Sequence, residues 1–500
     1  MIPGLAATFT PMRAAREPSL ADPPTTSARI SREQVAILAL LTVAGAWLRL
    51  SHLGSKSLWL DEGATVALAR ASRQHFAWVW WHGEANLQTI YFLLMRAWIH
   101  LGDSEAWLRL PSALFGIASI PVLYALARKF MGAAPALAAA ALLAFSPSDV
   151  YYSQEARGYT LAVLLVLLST CYFVRAVEQN QPRDWLLWTL FGVLAFYSHD
   201  FAALVLVAQA ASVFFKAPPL PWRRLIACGA VIFLLAIPGL TYVFRASPEN
   251  LHFLWMPRAS VKEFWHLAMF FGGAGVKVVV AGALWIAGAI AVWRSRRADA
   301  DAFWRGMLVL VWAVLPAVIL ALISLRQPMF LQRYLIFSLP ATILLAALGV
   351  DTLRKWGIGL VLTALLCGMS QTAITKGYQK PRDDWRGASN AVLASAAPGD
   401  AVVFFPFYSR VMLDYYRDRY GASAPPLHVF APGYYDGGED VRDLLKALAG
   451  GPRGFRHVWI LVAGDGANFC GGPVEEKLQS VYGAPVVQKF ANIDVLEYGH

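Results

Sequence analysis

Residues 57–70 read SLWLDEGATVALAR, which places two adjacent carboxylates, Asp61 and Glu62, directly behind an apolar run. Acids in that position admit two chemistries. In the first turn of a helix they cap free N–H groups and complement the helix dipole. Held at a membrane surface, one of them could instead take a proton as a general base. Further ionisable residues recur along the chain: Arg109 in SEAWLRLPSALFG, Glu155 and Arg157 in SPSDVYYSQEARGY, His199 in YSHDF, and Arg333 with Tyr334 in RQPMFLQRY. All lie beside apolar stretches, where a charge costs about 2.5–3.5 kcal/mol at mid-membrane and so needs a reason. Snorkelling at helix ends is the reason expected for Arg49, Arg128 and Lys129. For the others, structural ion pairing, such as Glu155 with Arg157 or Arg109, stands beside a shared chemical role.

The elements that must position these residues are apolar. Of 500 residues 57% are hydrophobic and 15% charged, and stretches of about 20 apolar residues, the length of a membrane crossing, recur. The pattern is that of an α-helical polytopic membrane protein. Spans are expected at about 33–53, 107–129, 133–148, 159–177, 184–198, 201–216, 223–244, 274–293, 304–324, 333–351 and 357–373, roughly eleven crossings. The net charge of +11 comes from Lys and Arg in alternate short connections (ARKF, QPRDW, KAPPLPWRR, WRSRR, LRKW). That is a positive-inside bias rather than a nucleic-acid surface. It sets the N-terminus inside, with residues 1–32 as a flexible cytoplasmic tail, and everything after residue 374 outside. The opposite connections hold Asp61, Glu62, Glu155, Arg157 and His199, then FLWMPRAS (253–260) and the Arg333–Tyr334 segment, so any chemistry faces outward. The first of them, 54–106, reads as amphipathic, with Trp78, Trp80, Trp81 and Trp98 suited to interfacial helices. Four scattered cysteines, Cys171, Cys228, Cys367 and Cys470, give no zinc or redox spacing.

From about 380 the composition becomes that of a soluble α/β module. Strands are expected at PGDAVVFFPF, PPLHVF, RHVWILVAG and VVQKFANIDVLEY, with helices around 384–396, 408–419, 439–449 and 474–482. GDGANFCGG (464–472) has Phe469 where a dinucleotide loop needs its third glycine, so nucleotide binding is not supported. The aromatic segment PFYSRVMLDYYRDRY (406–420) has the spacing of a packed amphipathic helix.

One reaction would use the outer set together. If a sugar is linked through phosphate to a polyprenol, its leaving group is a weakly basic phosphate oxygen that calls for a cation. Arginine meets that need by hydrogen bonding to phosphate in a desolvated site. The attacking hydroxyl must lose a proton, which calls for one carboxylate.

LDEGATVALAR, LGDSEAWLRLPSALFGIASIPVLYALARKFMG, YYSQEARGYTLAVLL, FYSHDFAAL and FLQRYLIFSLPATILLAALG together resemble glycosyltransferase family 39. This group of the GT-C superfamily includes protein O-mannosyltransferases and relatives of the lipid A aminoarabinose transferase. KPRDDWRGASNAVLASAAPGDAVVFF (380–405) resembles bacterial members with an external C-terminal module. The resemblance implies an inverting transfer from a polyprenyl-phosphate donor to a hydroxyl of a glycolipid, polysaccharide or protein, outside the bacterial cytoplasmic membrane. It implies Asp61 as general base with Glu62 beside it, and Arg109 near the donor phosphate. Glu155 and Arg157 match a cavity-lining loop, His199 the Y-S/T-H turn, and Arg333 with Tyr334 the RY that opens a late span. Some members bind a divalent metal; no dedicated ligand cluster is evident here, and the sequence leaves a metal open. One departure is that relatives carry a PPLYY-like run where this chain reads EANLQTIYFLL (84–94). The alternative, a transporter or flippase for lipid-linked sugars, predicts inverted repeats and broken helices at the midplane. No convincing repeat is found, and the charges gather at one interface.

Overall fold

The computed structural model describes residues 31–82, 88–245, 256–353, 357–430, 443, 446, 455–464 and 473–499. The expected tail, the GDGANFCGG loop after Gly464, Cys470, most of the 439–449 helix, and parts of EANLQTIYFLL and FLWMPRAS lie outside them. The chain begins with α1 (Arg32–Leu50), then three short helices, α2 (Leu60–Arg70), α3 (Arg73–His82) and α4 (Thr89–Trp98). There follow α5 (Glu105–Ala127), α6 (Ala133–Ala144), α7 (Pro147–Ser153), α8 (Tyr159–Gln179), α9 (Pro182–Ser198) and α10 (Ala203–Ser212). The helical layer ends with α11 (Trp222–Arg245), α12 (Val261–Gly272), α13 (Val276–Ser295), α14 (Ala300–Ser324), α15 (Leu339–Thr352) and α16 (Ile358–Gln379).

Each of the eleven stretches expected to span is helical. Among the described residues, eight helices are long and apolar enough to cross a membrane, or nine if α6 and α7 form one bent span. The 17-residue α9 and the Asp200–Phe215 segment containing α10 are shorter. The chain is a multi-pass membrane protein. Side-chain caps begin several helices: Ser31 accepts from the Gln34 N–H and Ser104 from the Trp107 N–H. Where α13 and α15 cross, Gly288 and Gly349 each face a backbone carbonyl of the other helix, and neither position has room for a Cβ.

Two expectations are corrected here. The stretch 133–148 is not one helix but α6 and α7, which meet at 52°. Ser146 caps α7, and Pro147 restarts the chain in its first turn. Arg49 does not snorkel either: it is fully buried and closes the C-terminal end of α6. Its Nη1 donates to Ala144 O at 3.0 Å and its Nη2 to Leu143 O at 3.0 Å, while Nη2 meets Asp149 Oδ2 at 2.5 Å. Carbonyls freed by the break thus find a cation, and the cation finds a carboxylate.

At one end of the helical layer sits a small α/β unit with α17 (Trp385–Ser395), β1 (Ala401–Phe405), α18 (Arg410–Tyr420), β2 (His428–Phe430), β3 (Val458–Ala463), α19 (Pro473–Tyr482), β4 (Val486–Phe490) and β5 (Ile493–Tyr498). The sheet order is β2-β1-β3-β5-β4, parallel among the first three and antiparallel at β3–β5 and β5–β4. The single last strand expected from VVQKFANIDVLEY is a hairpin, turning at Ala491–Asn492 with Asn492 at φ 57°.

Removing Arg49 should leave Asp149 buried and unpaired. Arg49→Ala is expected to destabilise the protein by about 3–5 kcal/mol, and Arg49→Met with Asp149→Leu to recover most of that loss. Thermal unfolding in detergent checks both, and an unchanged midpoint in Arg49→Ala would count against the pair as a structural tie.

Candidate active site

The candidate residues meet where the unit carrying the sheet sits on the helical layer. α2 begins at Leu60 because Glu62 folds back on the helix start, its Oε2 accepting from the Trp59 N–H at 3.2 Å. Glu62 is fully buried and bonded on both oxygens. Arg109 Nε reaches Oε1 at 2.8 Å, Arg109 Nη2 reaches Oε2 at 2.7 Å, and the Ala156 N–H donates to Oε1 at 2.8 Å. Burial pushes the Glu62 carboxyl up, but Arg109, then Arg382 and the Ala156 N–H, outweigh it and hold the group below the usual carboxylate range.

Arg109 gives its remaining N–H groups to Leu53 O, Lys56 O and Ser57 O, each at 2.9 Å. All five of its N–H donors therefore have protein acceptors, and none is left for an outside anion. Glu155 does not pair with Arg157 or Arg109, as one reading of the sequence allowed. Its Oε1 accepts from Arg382 Nη2 at 3.0 Å, and Oε2 is buried without a hydrogen bond. Burial raises the Glu155 carboxyl to about 7, with Arg382 opposing and Glu62 and Asp61 reinforcing the shift.

Asp61 occupies different surroundings. Its side chain keeps 29% of its exposure and lies 3.7 Å from Arg333 Nη1. The Arg333 guanidinium lies within 5.9 Å of the Trp59 ring centroid and 5.6 Å of that of Tyr334. Arg157, buried, directs Nη1 at Asp61 O (3.4 Å) and Thr65 Oγ1 (3.3 Å). His199 stands among Tyr159, Tyr334 and Phe337 at 5.5–5.8 Å between centroids. Its Nδ1 is 3.1 Å from Asp200 Oδ1 without a hydrogen-bonding angle. The predicted residues thus fall into two groups. Asp61, Arg157, Arg333, Tyr334 and His199 share one corner, while Glu62 and Arg109 form a buried tie beside it with Glu155 behind.

Sequence reasoning did not single out Arg382. It lies in KPRDDW, a segment noted only for its resemblance to bacterial relatives, and no local signal marks its contact with Glu155, 227 residues earlier in the chain. Nor did it foresee how far the C-terminal unit holds the connection before α2. Asp383 O accepts from Ser57 Oγ (2.6 Å), the Tyr416 hydroxyl from the Leu58 N–H (3.1 Å), and Gly54 O from Arg386 (3.1 Å). Gly63 lets α18 approach α2, since a Cβ there would lie 2.5 Å from Met412 Sδ. Among the described residues no three His, Cys, Asp or Glu side chains are placed to hold a metal ion.

This architecture has known counterparts. ArnT from Cupriavidus metallidurans bound to undecaprenyl phosphate superposes with TM-score 0.60 at 15% identity, over 93% of this chain and 97% of that one. Its apo form gives TM-score 0.61 at 16% identity over the same shares. The Archaeoglobus fulgidus oligosaccharyltransferase in complex with Zn and sulfate gives 0.51 at 12% identity, over 93% of this chain and 73% of that one. The chain has a GT-C fold. The family model for dolichyl-phosphate-mannose-protein mannosyltransferases matches residues 89–242, inside the part of the GT-C fold where the sequence resemblance was read. A search of curated protein sequences finds no match.

Glu155 generates a pH dependence. With a folded pKa of about 7 against an ordinary 4.5, it keeps a proton that the unfolded chain releases, so stability falls as pH rises between those values. Glu155→Gln should remove this slope: its unfolding midpoint should change less than that of the wild type between roughly pH 5 and pH 8. Parallel midpoints across that window would contradict the assignment.

Proposed function

We propose that the protein is an inverting glycosyltransferase. It would move one sugar from a polyprenyl-phosphate donor to an acceptor hydroxyl at the outer face of a bacterial cytoplasmic membrane. The observation that carries this reading is the contrast between the neighbouring acids. Glu62 is buried with every oxygen bonded, whereas Asp61 is partly exposed beside Arg333 and Arg157. Only Asp61 has the access a base needs, and the cations beside it are of the kind a departing phosphate needs.

In the proposed step the acceptor oxygen attacks the anomeric carbon and its proton passes to Asp61. The bond from that carbon to the phosphate oxygen breaks, and its electron pair leaves with the lipid phosphate, which Arg333 and Arg157 stabilise. A single displacement inverts the anomeric centre. Tyr334 and His199, with the rings around them, would form the wall against which sugar or prenyl carbon packs. Support comes from the GT-C fold, the family-model match, and ArnT having been found with undecaprenyl phosphate bound. The proposed role of Arg109 moves from phosphate ligand to positioning residue, because its donors are spent on the Leu53–Ser57 carbonyls and Glu62.

Asp61→Asn should leave the unfolding midpoint unchanged and lower sugar transfer by roughly 10²–10⁴-fold. Proteoliposomes supplied with polyprenyl-phosphate sugar read this out, and a fully active variant would remove Asp61 from the mechanism. Arg333→Ala should reduce kcat/KM for the donor about tenfold or more while acceptor KM stays within twofold. Lipid translocation without sugar transfer in the same vesicles would favour a flippase instead.

A further inference from the structure

Arg157 does little to hold its own guanidinium in place. The two contacts of its Nη1 are long, 3.4 Å to Asp61 O and 3.3 Å to Thr65 Oγ1. Its Nε is buried and makes no hydrogen bond among the described residues. Hydrogen bonds of that length are weak, so the aim of the guanidinium depends on the backbone that carries it.

That backbone is held at three successive residues by side chains from three different segments. The Arg157 N–H turns back on Glu155 O at 2.8 Å, which closes a three-residue turn. The Ala156 N–H goes to Glu62 of α2, Arg157 O accepts from Ser112 Oγ of α5 at 3.0 Å, and the Gly158 N–H donates to Gln88 Oε1 at 3.0 Å. Tyr91 of α4 supports the second of these, its hydroxyl lying 2.9 Å from Ser112 Oγ. Ser112 has one hydroxyl proton and gives it to Arg157 O, so the Tyr91 hydroxyl is the donor of that pair. Gln88, Tyr91 and Ser112 are all buried. Gly158 lets the turn meet the start of α4, since a Cβ there would lie 3.1 Å from Tyr91 Cβ and 3.2 Å from Gln88 Oε1. Gln88 and Tyr91 belong to EANLQTIYFLL, the stretch in which the chain departs from the proline-containing run of its relatives, and the proposed reaction gives neither a task.

We infer that Gln88, Tyr91 and Ser112 are positioning residues for Arg157: they fix the 156–158 turn so that its guanidinium faces the place of the departing phosphate. The inference rests on the reading of Arg157 as a phosphate cation. The phosphate gains negative charge as its bond to the sugar breaks, so a misplaced cation weighs on the transition state more than on acceptor binding.

The test reads two quantities on the full-length protein: kcat for transfer in proteoliposomes, and affinity for undecaprenyl phosphate by native mass spectrometry in detergent. Undecaprenyl phosphate carries the charge of the released phosphate, so the second reading needs no turnover. Gln88→Met loses the acceptor at similar volume and Tyr91→Phe loses the donor. Each should lower kcat and undecaprenyl phosphate affinity about tenfold, with acceptor KM within twofold. Thr89→Val removes the acceptor of Trp80 Nε1 at the same helix start without touching the turn, and should change either quantity less than twofold. A general loosening of α4 would lower all three variants alike and would overturn the inference. The deciding measurement is a double-mutant cycle. In an Arg157→Ala background, Gln88→Met and Tyr91→Phe should cost less than a further twofold in affinity, because the group they position is gone. Losses that multiply instead, with unfolding midpoints intact, would overturn the inference, as would full kcat in both single variants. Undiminished affinity and kcat in Arg157→Ala alone is a separate failure: it would remove Arg157 from the phosphate role, and the inference with it, while leaving Asp61 to its own test.

Discussion

A carboxylate and a guanidinium with almost no access to water, Glu62 and Arg109, meet where the first long connection touches α5. Such a pair is tolerated only when the remaining hydrogen-bonding capacity of both groups is met, because desolvation of each ion costs several kcal/mol. Here it is met. Glu62 takes four hydrogen bonds, and all five Arg109 N–H groups have acceptors. The consequence for Asp61 is geometric. Successive residues on an α-helix are turned by about 100°, so fixing Glu62 inward turns Asp61 toward the side where Arg333 and Arg157 lie. The buried acid decides where the accessible one points.

That arrangement has a second support from the other end of the chain. The segment 54–58 is held by Arg109 on one side, and on the other by Arg386 and Tyr416 on its backbone and by Asp383 O on the Ser57 hydroxyl. α18 packs on α2 across Gly63, with Val411 and Met412 buried in the contact. The C-terminal unit is thus built into the site: it contributes Arg382 and clamps the segment from which Asp61 projects. Loosening that contact would release the helix start while leaving the spans themselves intact.

The sequence carried the helical layer well because long apolar runs have few alternatives once every backbone group must be bonded internally. The strands of the C-terminal unit were equally legible, except where ANID concealed a two-residue turn that only the positive φ of Asn492 reveals. Side-chain roles were harder. LDEGATVALAR allowed a cap and a base, and both descriptions have a counterpart, on adjacent residues: Glu62 caps, and Asp61 has the access. LRLPSA suggested a phosphate ligand at Arg109, but pattern cannot reveal that three carbonyls from residues 53–57 consume its donors. Arg49 looked like a snorkelling end residue because nothing near it in sequence announces Asp149, a hundred positions later. Long-range polar partners are set by tertiary packing, and local spacing does not encode them.

The arginines at this end of the layer therefore differ in kind although their chemistry is the same. Arg109 spends all its donors, and Arg49 all but its buried Nε, on backbone carbonyls and one buried acid each, which fixes helix ends and loops. Arg382 keeps buried N–H groups without acceptors, and Arg333 lies at the edge of solvent beside an acid whose charge it only partly meets. A guanidinium saturated by the fold cannot also receive a phosphate without breaking the bonds that position it. One with donors left over carries a standing cost that an incoming anion removes. Counting the donors already used, rather than the arginines present, is what separates the scaffold of this site from the groups left to meet an anion.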